Sequence, residues 1–328
     1  MPVKMGNKFL YLLGAGASCN ALPIVAKMSK SFVKFPAKLT GLKVSNEHNS
    51  IIKKFKIDIN WLSQIIKQYD SVDTLAKFYY LNQDQDNLYR LKRTLALYFL
   101  IEQFHFNEFD RRYLVFLTSI MEKHVMIPEN VKILTWNYDY QMQLASSKFT
   151  KNKDFIRYYP TMKEEIPAIA FEHDPDIDLL NLNGIAGYHV IFKGEHPRWH
   201  PIVSKISNEL GKILTFYTDI QEKKPVELIT FAWENPYNVR SVHDAIIKKF
   251  ATGVQYLIVI GYSFPFFNRK IDQKIFKALT HRPLKIYYQN TDPERDGKEL
   301  ISQFNLDPND VDIKHIKDGD RFFIPTEL

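Results

Sequence analysis

Short apolar runs recur along the chain, each bounded by polar or turn-forming residues: Lys8–Leu13, Val131–Trp136, Ile177–Leu182, Leu228–Trp233, Tyr256–Tyr262, Leu284–Gln289 and Val311–Ile316. Most are near-continuously apolar. That is the pattern of strands covered on both faces, as in a parallel sheet. Helical spacing fills the gaps around the later runs, at Met142–Lys148, Val242–Phe250, Asn268–Leu279 and Glu294–Phe304. Strands alternating with helices predict an α/β fold, a Rossmann-like doubly wound parallel sheet of about six or seven strands.

Between residues 38 and 128 the period changes. Trp61–Tyr69, Val72–Tyr80, Leu88–Phe104 and Phe109–Lys123 carry apolar residues at helical spacing, and Leu88, Leu91, Leu95, Tyr98 and Phe99 form one stripe. The chain therefore reads as a single domain, 1–328, with an all-helical insertion at 38–128 between the first and second core strands. Residues 149–176 and 190–226 show few clear periods. They are expected to form loops and short helices over the C-terminal edge of the sheet.

The formal charge of +7 suits anionic ligands, but it is small for 328 residues. A solvated lysine-rich surface accounts for it better than a nucleic-acid groove, so direct nucleic-acid binding is not expected. The single cysteine, Cys19, excludes a disulfide framework and a cysteine-based zinc knuckle. It is expected to be a small buried hydrophobe. No signal peptide is visible, and no apolar run is long enough to span a membrane, which points to a cytoplasmic protein. His196 and His200 lie four apart, but Pro197 argues for a loop there, so no metal site is expected.

The chemistry concentrates at strand ends. The first apolar run enters Gly14-Ala15-Gly16-Ala17-Ser18, a turn that lets backbone approach a phosphate or ribose. A dinucleotide fold of the dehydrogenase kind needs a carboxylate about 20 residues later. Here the first acid is Glu47, and Lys27, Lys30, Lys34 and Lys38 precede it. A second motif, Thr135-Trp136-Asn137-Tyr138-Asp139, places Asn137 and Asp139 on one face of extended backbone. One of the two could instead cap the following helix. Three further strand ends carry polar groups: Asn181-Leu182-Asn183-Gly184, Gly261-Tyr262-Ser263 with Asn268 as a helix cap, and Tyr287-Tyr288-Gln289-Asn290. Asn290 is read as a ribose or adenine ligand. Ordinary strand-end turns could produce any one of these three.

Together these motifs resemble the sirtuin family, in its zinc-free branch of NAD-consuming effectors of prokaryotic antiviral defence. The resemblance rests on the Gly14–Ser18 turn with Pro23 behind it, Thr135–Asp139, Leu182–Gly184 and Ile260–Pro265. Smaller signatures are Ser71–Ala76 and Phe231–Glu234. It implies NAD+ as substrate, bound by Gly14, Ala15, Gly16, Ser18, Gly184, Gly261, Ser263 and Asn290. Asn137 is then expected beside the nicotinamide ribose, and Asp139 at the nicotinamide carboxamide. The implied activity is NAD+ hydrolysis to ADP-ribose and nicotinamide during abortive infection, triggered by a separate regulatory protein or by homo-oligomerisation. The chain departs from the family in two ways. It lacks the zinc cysteines, which makes lysine deacylation improbable. It also has Asn183 where the family has its catalytic histidine. The alternative is an NAD or ADP-ribose sensor with impaired catalysis.

Overall fold

The structure, a computed structural model, describes residues 6–121, 126–149, 158–159, 178–186, 188–193, 196–201, 210–223, 229–234 and 239–328. The strands are β1 (Phe9–Leu13), β2 (Val131–Thr135), β3 (Tyr158–Tyr159), β4 (Leu179–Asn181), β5 (Tyr188–Lys193), β6 (His196–Pro201), β7 (Tyr256–Ile260), β8 (Leu284–Gln289) and β9 (Val311–Ile316). The helices are α1 (Val25–Lys38), α2 (Asn46–Ile65), α3 (Val72–Leu81), α4 (Gln85–Leu100), α5 (Arg111–Ile120), α6 (Gln141–Ser147), α7 (Leu210–Lys223), α8 (Val239–Ala251), α9 (Arg269–Ala278) and α10 (Pro293–Phe304).

Seven strands form one all-parallel sheet in the order β3-β4-β2-β1-β7-β8-β9. Both faces are buried over the central strands, while edge strand β9 stays partly exposed, and the strands sort their side chains with a period of two. Phe9, Tyr11 and Leu13 of β1 join a core with α1–α7 on one face. Leu10 and Leu12 join a second core with α8, α9 and α10 on the other. The sheet is doubly wound. Its register levels the strand ends: Leu13 pairs with Thr135 and Ile260, Thr135 with Asn181, and Ile260 with Gln289. The chain runs from β1 to one side for β2 and to the other for β7. Such a switch point opens a crevice beyond the carboxyl ends of the strands, where open α/β sheets bind ligands.

Helices α2, α3, α4 and α5 each begin at a side-chain cap. Ser45, Ser71, Asp84 and Asp110 accept from the backbone N–H groups of His48, Thr74, Asn87 and Arg112. The α4 stripe read from the sequence is buried from Leu88 to Phe99. Past Leu100 the helix widens into a π turn over Ile101–His105. Among the described residues, no helix is long and apolar enough to cross a membrane.

Two expectations are corrected. Leu228–Trp233 does not form a strand. Ile229 makes a lone antiparallel bridge with Gly184. The chain then turns, because Glu234 N–H donates to Phe231 O at 2.9 Å and Glu234 Oε2 accepts from Phe231 N–H at 2.8 Å. The segment 190–226 is also more regular than expected. β5 and β6 pair as an antiparallel hairpin, which includes His196–His200. Helix α7 buries Leu210, Ile213, Leu214 and Tyr217, spaced as a helical stripe, against α2 and α4. The Tyr217 hydroxyl donates to Asp58, which Arg90 and Arg93 also hold. Of residues 149–176, only Phe149 and Tyr158–Tyr159 are described.

Candidate functional site

The turns after β1 and β7 cross each other, and glycine makes the crossing possible. Gly14 N–H donates to Ile260 O at 3.0 Å, and Gly16 N–H to Gly261 O at 2.9 Å. A Cβ on Gly14 would lie 2.6 Å from Gly261 O, and one on Gly16 2.7 Å from Gly261 Cα. Gly261 itself has φ +60°, and its Cβ would lie 2.5 Å from Gly16 Cα. Only residues without side chains can pack this closely. Arg112 braces the outer side of the turn. Its guanidinium donates to Gly16 O at 3.2 Å and Ala17 O at 3.0 Å, and pairs with buried Asp110 at 2.6 Å. Arg112 also donates to the Cys19 sulfur at 3.4 Å. Cys19 is exposed, not the buried hydrophobe expected. The turn ends just before it and turns its side chain outward.

The inner side of the turn carries a buried polar hub on Ser18. Its hydroxyl donates to Asp139 Oδ2 at 2.6 Å. That bond uses its only proton, so Tyr113 OH at 2.9 Å and Asn137 Nδ2 at 3.2 Å must both donate to Ser18 Oγ. Burial pushes the Tyr113 hydroxyl well up, which keeps it a donor. Asn137 Nδ2 also donates to Gly14 O at 3.0 Å. Asp139 Oδ1 accepts from Gln141 N–H at 3.1 Å. Asp139 is thus the residue that supports the start of α6, and Asn137 faces the β1 turn. Burial raises the Asp139 carboxyl to about 6, against the opposing pull of its bonds from Ser18 and Gln141. The π turn supports this loop from behind. Gln103 Oε1 accepts from Tyr140 N–H at 2.8 Å and from Gln141 Nε2 at 3.1 Å.

A cleft open to solvent lies over these strand ends. Ala15, Ser18, Asn137, Asp139, Asn183, Gly261 and Ser263 all line it. Gly14 and Gly16 lie directly behind, in the turn crossing, and Gly184 follows Asn183 with φ +73°. Asn290 is not brought in. It sits past the end of β8, where its Oδ1 accepts from Thr291 N–H at 2.9 Å. Asn268 lines the cleft but makes no side-chain cap on α9.

Sequence reasoning missed part of the lining. Trp136 and Tyr262, the last residues of their apolar runs, lie one and two residues past the ends of β2 and β7 and stack with ring centroids 5.9 Å apart. Buried Asp272 holds both, accepting from Trp136 Nε1 at 3.2 Å and Tyr262 OH at 2.7 Å. Burial pushes the Asp272 carboxyl well up. Val25 and Met28 of α1 and Phe99 of α4 supply apolar lining. Asp73, in the first turn of α3, brings a second carboxylate, which burial raises to about 6. Its only signal in the sequence was the Ser71–Ala76 signature. Among the described residues, the lining contains no lysine, arginine or histidine.

On the far side, Asn183 keeps its Oδ1 buried without a hydrogen-bond partner among the described residues. Its backbone is held, since Asn183 O accepts from Thr230 N–H at 2.9 Å. Neighbouring Asn181 also has an unpartnered Oδ1, and its Nδ2 donates to Asn137 O at 3.3 Å. Comparison with family models and with curated proteins finds no match.

Proposed function

We propose that this cleft binds NAD+ and hydrolyses its nicotinamide–ribose bond, giving ADP-ribose and nicotinamide. The chief support is the convergence of four separate sequence motifs on one cleft at the switch point. Ser18, Asn137, Asp139, Asn183, Gly261 and Ser263 come from distant parts of the chain and line the same space.

The chemistry of the lining fits a cationic ring. The positive charge of NAD+ sits on its nicotinamide, and cleavage moves it to the ribose through an oxocarbenium-like state. Two carboxylates and no cation line the described part of the cleft, which favours positive charge at both stages. Asp139 keeps lone pairs beyond those given to Ser18 and Gln141, so it can accept from the carboxamide NH2. The Trp136–Tyr262 wall offers a flat apolar surface that excludes water. Nicotinamide leaves as a neutral molecule, so no general acid is required, and Asn183 in place of histidine does not by itself prevent hydrolysis.

Uncontrolled loss of NAD+ kills a cell. The activity is therefore held until a partner protein or self-assembly releases it, in keeping with an effector of bacterial antiviral defence. The test is NAD+ consumption by the purified protein, alone and with candidate partners, beside Asn137→Ala. Active wild type and an Asn137→Ala variant reduced at least about 100-fold are expected. Tight NAD+ binding with no product in any assembly would establish the sensor reading instead.

A further inference from the structure

We propose that Asp73 is the general base that takes a proton from the water attacking the ribose C1′ of NAD+, an assignment that rests on the hydrolase reading above. The amides and carboxylates of the cleft come first for that role. An amide cannot accept a proton at neutral pH, which removes Asn137 and Asn183. Asp139 gives one oxygen to Ser18 and the other to Gln141 N–H, and in the reading above its remaining lone pairs take the carboxamide NH2. Asp73 is not committed. Among the described residues its carboxylate has no ion pair, and its own backbone N–H is the hydrogen-bonding group that lowers its pKa against burial. An acid in the first turn of a helix also suits the helix dipole, but that interaction leaves its outward lone pairs free.

Asn183 complements it. Its Oδ1 has no partner among the described residues and it lines the same cleft as Asp73, so it is free to accept an O–H of the attacking water. The step balances. One O–H proton passes to Asp73 as the water oxygen bonds to C1′. The C1′–N bond breaks with its electron pair kept by nicotinamide, whose ring becomes neutral. Asp73 then releases the proton to solvent, and each turnover yields one ADP-ribose, one nicotinamide and one proton.

The electrostatic setting suits a base. Burial lifts the Asp73 carboxyl to about 6, close to the operating range of a general base. The other titratable groups lining the described cleft are Tyr138, Asp139 and Tyr262. On its own helix, Lys77 lies one turn on, but it sits over the rings of Tyr80 and Trp233 at 4.8 and 4.5 Å.

The test compares wild type, Asp73→Asn and Asp73→Ala under conditions where wild type consumes NAD+. Asp73→Asn should lower kcat by ~10²–10⁴-fold. ADP-ribose affinity by calorimetry should stay unchanged. The acidic limb of the kcat/KM profile should become shallower, with Asp139 left as the carboxylate titrating there. Formate should restore part of the activity of Asp73→Ala. Full activity in Asp73→Asn overturns the proposal. So does loss of turnover together with ADP-ribose binding and without formate rescue, which marks a structural residue. A wild type inert in every assembly removes the hydrolase reading and this role with it.

Discussion

The two sides of the cleft are built on opposite terms. On the β1–β2–β7 side, polar groups are matched. Ser18 satisfies Asp139, Tyr113 and Asn137 at once, and the Gly14–Gly16 turn is bonded to the Gly261 turn. On the α3–β4 side, among the described residues, Asn181 and Asn183 bury oxygens without partners, and the Asp73 carboxylate has no ion pair. A buried acceptor without a partner costs free energy that a folded chain ordinarily avoids. Where such an acceptor lines a cleft, as Asn183 Oδ1 does, the missing partner is expected to come from a ligand. The matched side sets the shape of the site, and the unmatched side retains the capacity to react.

The sharpest break of that comparison lies in the turn crossing. Gly261→Ala places a Cβ 2.5 Å from the Gly16 backbone at a φ of +60°. Neither atom is the end of a flexible side chain, so the two turns must separate. Strain and overpacking together should remove roughly 4 kcal/mol or more. Urea unfolding of the purified variant checks this, and a midpoint equal to wild type would refute the interlock.

The unmatched side depends on a different anchor. Glu234 pairs with Lys92 at 2.8 Å, with side chains only 6% and 4% exposed. The same carboxylate shapes the 231–234 turn, whose neighbour Thr230 holds the Asn183 carbonyl. Trp233 stacks on Phe231 and packs on Tyr80 of α3. The Phe231–Glu234 signature therefore meets α3, the helix that the Ser71–Ala76 signature opens, at its later turns. Glu234→Gln leaves the Lys92 charge buried and should cost about 3 kcal/mol. Adding Lys92→Met should recover much of it. ADP-ribose binding should weaken more than for other variants of equal stability, because Asn183 loses its support. If the double variant is no more stable than Glu234→Gln, the pair is not the anchor.

The same contrast explains what could be read from the sequence. Strands covered on both faces leave continuous apolar runs, so all the sheet strands but the two-residue β3 were visible, and α9 and α10 with them. Ser18, Asn137 and Asp139 were visible because they belong to strand-end motifs, each close to a chain turn. Asp73 and Lys92 were not visible as site residues. Asp73 reaches the cleft from α3 and Lys92 reaches Glu234 far along the chain, and no local period encodes that. Leu228–Trp233 reads as a strand by composition, but a single side chain, Glu234, folds it into a turn. Asn290 has the right residue type at a strand end, yet it lies past β8, beyond the switch point between β1 and β7.

The smallest effect concerns the charge on the matched side. Asp139 titrates near 6 in the folded protein, above its ordinary value of 3.8. Between those values the folded state holds a proton that the unfolded state has lost. Stability must therefore fall as pH rises through that window, and the loss is complete above about 6. The shift corresponds to at most about 3 kcal/mol. Asp139→Asn removes the titration but also one acceptor, since a single amide oxygen cannot serve both Ser18 and Gln141 N–H. That lost bond costs about 1 kcal/mol at every pH. The variant should consequently be the less stable protein at pH 4 and recover towards wild type, or pass it, by pH 8. Unfolding midpoints of both proteins across that range decide the matter. Other carboxylates titrate in both and cancel in the difference. Parallel curves would show that the Ser18 hub fully compensates the buried charge, and the matched side would then be matched electrostatically as well as in its hydrogen bonds.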